Sequence, residues 1–165
     1  MPPKKAISAL DKAMRLLAVR AYSTNELTQR LFRSGFPPDE VEAAVRECEK
    51  RHYLNDRLFA EDCAEMWLER GHGARSIRHK LYQRGVPAEL AAAAIAGTEE
   101  QEPEAACAAI RSKLPSLLRE PDPHKRRAKA LRFLAGRGFT GNAAAAAMKL
   151  LAQAAADAED GEDIP

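Results

Sequence analysis

Three segments of this chain repeat one pattern, and that repetition limits the folds open to it. Leu27-Thr28-Gln29-Arg30-Leu31-Phe32-Arg33-Ser34-Gly35-Phe36 aligns with Ile77-Arg78-His79-Lys80-Leu81-Tyr82-Gln83-Arg84-Gly85-Val86 and with Ala130-Leu131-Arg132-Phe133-Leu134-Ala135-Gly136-Arg137-Gly138-Phe139. Leu31, Leu81 and Leu134 coincide, as do Gly35, Gly85 and Gly138, each Gly followed by an apolar residue. The glycines stand 50 and then 53 positions apart, a period typical of helical repeat arrays. A unit of this size buries too little apolar surface alone, so neighbouring units must stack.

The apolar spacing gives each unit three helices. Leu10, Met14, Leu17 and Ala18 form the stripe of a first helix. Ser23-Thr24-Asn25-Glu26 reads as a capping box opening a second, which buries Leu27 and Leu31 and ends at Gly35. Pro37-Pro38-Asp39-Glu40 opens a third, with Val41, Ala44, Val45 and Cys48 inside. The second unit starts at Asn55 or Asp56, either a good cap, and buries Phe59, Cys63 and Trp67, then Ile77 and Leu81. The acid-rich stretch 97–103 reads as a linker. In the third unit Pro115 is expected to end or kink a helix over 105–118, and the alanine-rich segment after Gly138 is expected to pack weakly and be the most mobile part. No stretch alternates like a half-buried strand. The expected fold is all-α: three tandem three-helix repeats (8–54, 55–97, 104–152) in an elongated, curved array, followed by a disordered acidic tail over 153–165.

Charge is distributed unevenly. The formal net charge is +2, but Asp157, Glu159, Asp160, Glu162 and Asp163 crowd the end, leaving the remainder more basic. Residues 70–88 contain Arg70, Arg75, Arg78, Lys80 and Arg84 without an acid. Residues 123–156 contain Lys125, Arg126, Arg127, Lys129, Arg132, Arg137 and Lys149, again without one. Such one-sign blocks point to an anionic partner, where ordinary solvated faces mix signs. On a helical wheel Arg75, Arg78, His79 and Tyr82 lie opposite Ile77 and Leu81, while Lys125, Lys129 and Arg132 lie opposite Leu134. The candidate partner-binding residues are therefore Arg70, Arg75, Arg78, Tyr82, Lys125, Lys129 and Arg132. Phe32 and Tyr82 share a repeat position, where packing against a neighbouring helix is the competing role.

Chemistry is harder to find. The chain has no Walker A loop, H-E-x-x-H, G-x-S-x-G or dinucleotide fingerprint. Gly71-His72-Gly73 opens a helix bearing Arg75 and Arg78, as half a phosphate loop would, but a turn accounts for both glycines. Cys48, Cys63 and Cys107 are scattered and read as buried reduced thiols; Cys48 and His52 alone cannot make a structural zinc site. No catalytic site, metal or cofactor is implied. No apolar run approaches the roughly 20 residues of a membrane span, and the N-terminus lacks a signal-like apolar stretch, so a cytoplasmic location is expected. A helix-turn-helix reader of base sequence is disfavoured, because the third helices open with Pro38-Asp39-Glu40, Pro87-Ala88-Glu89 and Thr140-Gly141-Asn142 instead of Arg, Asn or Gln aimed at base edges.

Several of these residues, in this spacing, resemble the RecX family: Arg20-Ala21-Tyr22-Ser23, Glu26-Leu27, Leu31, Gly35-Phe36, Tyr53-Leu54-Asn55-Asp56, Phe59-Ala60, Gly73, Ile77, Leu81 and Gly85. The resemblance runs from about Ala9 to Leu151 and is weakest in the third repeat. It implies a bacterial regulator, expected as a monomer, that binds RecA nucleoprotein filaments (RecA on single-stranded DNA) and restrains their ATPase, strand-exchange and coprotease activities. Direct contact with the DNA backbone is compatible with the basic blocks. Those blocks alone would also suit a non-specific nucleic-acid binder acting without RecA, and an enzyme is the least supported class.

Overall fold

The structure, a computed structural model, describes residues 7–161. Among these residues there are nine helices and no strand: α1 (Ala9–Leu17), α2 (Thr24–Arg33), α3 (Pro38–Lys50), α4 (Asp56–Glu69), α5 (Ala74–Gln83), α6 (Ala88–Ala96), α7 (Glu102–Leu118), α8 (Pro123–Gly136) and α9 (Gly141–Gly161). Each run of three is one repeat, and substantial helix–helix contact stays within repeats or joins consecutive ones.

Local chemistry explains most of the boundaries. Ser8 and Ser23 both form capping boxes, with Asp11 and Glu26 respectively. Asn55 takes the cap of α4, accepting from the amides of Arg57 and Leu58. Asp56 is thereby free to reach across the chain and accept the Thr24 amide of α2 at 2.7 Å. Asp122 caps α8 through the amides of His124 and Lys125. Gly35, Gly85 and Gly138 all end their second helices with positive φ.

The apolar interior falls into two parts. Repeat 1 has its own core around Leu27, Leu31, Val41 and Cys48. Repeats 2 and 3 share one continuous core, which includes Phe59, Trp67, Ile77, Leu81, Ile110, Leu134 and Phe139. The junction between repeats 1 and 2 is accordingly a polar one. The Ser23 hydroxyl donates to the Arg84 carbonyl, and the Arg84 guanidinium grips Glu26 at 2.5 and 2.9 Å while lying 4.8 Å from the Phe59 ring centroid. At the junction of repeats 2 and 3, the amides of Gly73 and Arg75 donate to the carbonyls of Arg137 (2.8 Å) and Gly138 (3.2 Å). In both places the carboxyl end of a second helix meets the amino end of the preceding repeat's second helix. The three second helices therefore follow one another end to end, α8 to α5 to α2.

Three expectations need correction and one is narrowed. The buried stripe of α1 is Ala9 and Ala13; Leu10, Met14 and Leu17 are only half-buried and Ala18 is exposed, because short side chains let α1 approach α3 closely. Of the two outcomes expected at Pro115, an end or a kink, the first does not occur: α7 runs on to Leu118, the bound expected for it. The alanine-rich third helix is not loosely attached: α7 and α9 pack more extensively than any other pair, burying Ala106 and Ile110 against a face with Ala143, Ala147 and Leu151. Alanine buries little area per residue, but it permits close helix approach and many backbone contacts. Finally, the tail expected to be disordered is helical to Gly161; residues 162–165 lie outside the described residues. Alanine's high helix propensity carries α9 past the packed part of the repeat.

Candidate anion-binding faces

The second helices place the predicted residues in distinct settings. On α5, Ile77 and Leu81 are fully buried and turn the opposite face outward. Arg75, Arg78, His79 and Tyr82 line one groove of about 400 Å³, floored by Val86, Ala88 and Ala91. Tyr82 is 77% exposed, so its ring is a surface feature and not a packing element. The exposed face of α8 bears Lys125, Lys129 and Arg132. Arg70 stands apart. It ends α4 beside a different groove lined by Glu69, Glu100 and Glu104, and its carbonyl accepts from Arg137 at 3.4 Å.

Among the described residues, none of Arg70, Arg75, Arg78, Lys125, Lys129 or Arg132 takes part in a salt bridge. The contrast with α3 and α4 is informative, because Arg46, Arg51 and Arg57 there pair with glutamates one helical turn away. The α5 and α8 faces thus keep uncompensated positive charge in solvent, which attracts anions and steers their approach.

Two cations that inflated the basic blocks have structural tasks. Arg84 is the clamp between repeats 1 and 2. Burial pushes the Glu26 carboxyl up, but the Arg84 hydrogen bonds and charge, the Ser23 amide and Arg20 together leave it below its usual range. Arg126 is buried; its Nε donates to the Glu120 carbonyl at 3.0 Å and its guanidinium lies 3.9 Å from Glu159. The half phosphate loop at Gly71-His72-Gly73 is also spent. The first α5 amides bind the Arg137 and Gly138 carbonyls, and the Ala74 amide binds the Glu102 carboxylate at 2.8 Å. The start of α5 binds protein oxygens, not a ligand, and Glu102 belongs to this cap instead of to a linker.

Cys48, Cys63 and Cys107 are free and buried, and burial raises all three thiols above their usual range. Burial also lowers His72, helped by Lys80, Arg137 and Arg70. Among the described residues, no cluster of three or more His, Cys, Asp or Glu side chains is placed to hold a metal, and no helix is long and apolar enough to cross a membrane.

A polar recess between repeats 1 and 2 escaped the sequence reading. It is lined by Arg20, Glu26, Gln29, Arg30, Arg33 and Arg84, among others. Its arginines come from three separated stretches of chain and face one cleft only after the repeats dock. The available signal was Arg20 in the Arg20-Ala21-Tyr22-Ser23 motif, whose side chain lines the recess and pairs with Glu26 at 3.3 Å.

Comparison with known proteins agrees with this architecture. The family models for the first, second and third three-helix domains of RecX match residues 9–48, 55–95 and 99–148. The regulatory protein RecX of Chromohalobacter salexigens is 40% identical over 129 residues, covering 78% of this chain and 83% of that one. That of Chlorobaculum tepidum is 34% identical over 140 residues, covering 84% and 85%. The crystal structure of RecX from Lactobacillus salivarius superimposes with a TM-score of 0.76, covering 89% of this chain and 94% of that one, at 15% identity, which speaks to the fold. With three family models in tandem and relatives of this similarity along most of its length, the chain belongs to the RecX family of regulatory proteins.

Proposed function

We propose that this RecX-family protein binds the RecA nucleoprotein filament as a cytoplasmic monomer and restrains its ATPase, strand-exchange and coprotease activities, without chemistry of its own. The observation that supports the reading is the unpaired positive charge on α5 and α8, two second helices joined end to end. A filament offers the same anionic surface at every protomer, so modest contacts at successive repeats add through effective concentration. Arg75, Arg78 and Tyr82 on one face, and Lys125, Lys129 and Arg132 on the next, are the residues assigned to that contact. Arg70, beside three glutamates, is peripheral to it.

The test is the double change Arg75→Glu and Arg78→Glu. Both side chains are exposed, so the fold should change by no more than about 0.5 kcal/mol. Inhibition of RecA's DNA-dependent ATPase should weaken, and the salt dependence of binding should flatten. A folded double variant that inhibits as the parent does, at low and moderate salt, would make this face ordinary solvated surface. Co-sedimentation on single-stranded DNA with and without RecA separates the second reading. Equal binding in both would identify a nucleic-acid binder independent of RecA.

A further inference from the structure

We propose that the polar recess between repeats 1 and 2 is a phosphate-binding site. It encloses about 490 Å³, and four arginines (Arg20, Arg30, Arg33, Arg84) face it against a single carboxylate, Glu26. That carboxylate is already engaged by Arg20 at 3.3 Å and by Arg84 at 2.5 Å. Among the described residues, Arg30 and Arg33 have no ion-pair partner. The recess therefore holds a surplus of positive charge after its one acid is neutralised.

The geometry selects the ligand. Glu26 and the Ala21 carbonyl fix the guanidinium planes of Arg20 and Arg84 while leaving Nε and Nη2 of Arg20 and Nη1 of Arg84 without an acceptor among the described residues. A fork held in place with donors to spare is suited to a multi-oxygen anion, and phosphate accepts from several forks at once. Gln29 and Gln83 add side-chain amides. The aromatic ring here, Tyr22, has the Arg20 guanidinium 3.7 Å from its centroid, so that face cannot stack a base. The guanidinium donors of the recess are thus the groups left to hold a ligand, and they match phosphate oxygens. Arg75 and Arg78 do not line it, and the proposal is independent of the role given to the α5 and α8 faces.

The phosphate can come from a phosphodiester backbone or from a free polyphosphate, and the experiment separates them. The full chain is titrated without RecA, with pyrophosphate by calorimetry and with a homothymidine oligonucleotide by fluorescence anisotropy. At least one should bind, and the double change Arg30→Gln and Arg33→Gln should weaken that binding by at least about tenfold, since it removes two guanidinium forks that can donate charged hydrogen bonds to the anion. Oligonucleotide binding alone would identify the backbone as the source, and pyrophosphate binding alone a free polyphosphate. Should the glutamine variant misfold, the Nε–Hε resonances of Arg20 and Arg84 in the parent replace it, and they should shift on titration. Unchanged resonances, a parent that binds neither probe, or a folded variant that binds as the parent does would each overturn the site.

Discussion

Changing Gly73 to Ala isolates the docking of repeat 3 on repeat 2 from every other effect. Gly73 has φ −84 and ψ 171, a conformation open to any residue. Judged by its backbone alone, Gly73→Ala should stabilise the protein by about 0.4–1 kcal/mol, by restricting the unfolded chain. The fold predicts the opposite sign. A Cβ at this position would lie 2.6 Å from Gly138 C and O and from Phe139 N, where contact distances are normally about 3.5–4.0 Å. All three are backbone atoms, so no side-chain rotation relieves the clash and the turn from α8 to α9 must retreat by about 1 Å. That movement stretches the 2.8 Å bond from the Gly73 amide to Arg137 and the 3.2 Å bond from the Arg75 amide to Gly138. Two such bonds contribute about 1 kcal/mol each, and more where a buried donor loses its partner. The net cost should be roughly 2–4 kcal/mol, read by urea denaturation followed by circular dichroism, with faster amide exchange at Arg75. Gly35→Ala is the matched control. It has φ +88 and nothing within 4 Å, so it should show only a backbone penalty of about 1–2 kcal/mol and leave α5 exchange untouched. If Gly73→Ala were as stable as the parent or more so, the proposed close contact between these turns would be wrong.

The Glu26–Arg84 clamp predicts a pH dependence with a defined sign. The folded-state pKa of Glu26 is lowered, so its contribution is present above the unfolded value, about 4.3, and is lost as pH falls through the folded value. Arg84→Met should be less stable than the parent at pH 7, and the difference should shrink as acid protonates Glu26; a gap that stayed constant down to pH 2 would remove the ion pair from the explanation. Hydrogen exchange should find residues 143–151 of α9 as protected as 74–84 of α5, with faster amides only beyond 152. Rapid exchange throughout 143–151 would restore the weakly packed helix that its composition suggests.

The parts of this fold legible in the sequence were those set by local chemistry. Gly35, Gly85 and Gly138 marked the same turn three times, and Ser23 with Glu26 marked a helix start, because caps and turns depend on residues within a few positions. What the sequence hid depended on partners far along the chain. Arg84 counted as a free cation until docking placed Glu26, 58 positions away, against it. Arg126 counted likewise until Glu120 and Glu159 closed around it. The small residues of α1 and α9 looked like weak packing because composition reports area per side chain and not how closely two helices approach. The recess near Arg30 and Arg33 was invisible for the same reason as the clamp, since its walls come from two repeats.

End-to-end docking of the second helices also explains why recognition should rest on side chains and not on helix ends. An isolated helix start offers bare amides and a positive dipole end, and an anion binds there readily. At α5 those amides are bound by the carbonyls that end α8, and at α2 the Ser23 hydroxyl binds the carbonyl that ends α5. Each junction pairs opposite helix ends, setting their partial charges against one another and engaging the amides of Gly73, Ala74 and Arg75 at α5 and of Thr24 and Glu26 at α2 with protein oxygens. The remaining positive charge lies along the flanks, over second helices of 10, 10 and 14 residues. At 1.5 Å per residue this is about 50 Å of helix contour, and its charge is supplied by long, exposed side chains. Contacts of that kind are individually weak and tolerant of small shifts in register. They acquire strength only against a partner that is itself extended and anionic along a comparable length.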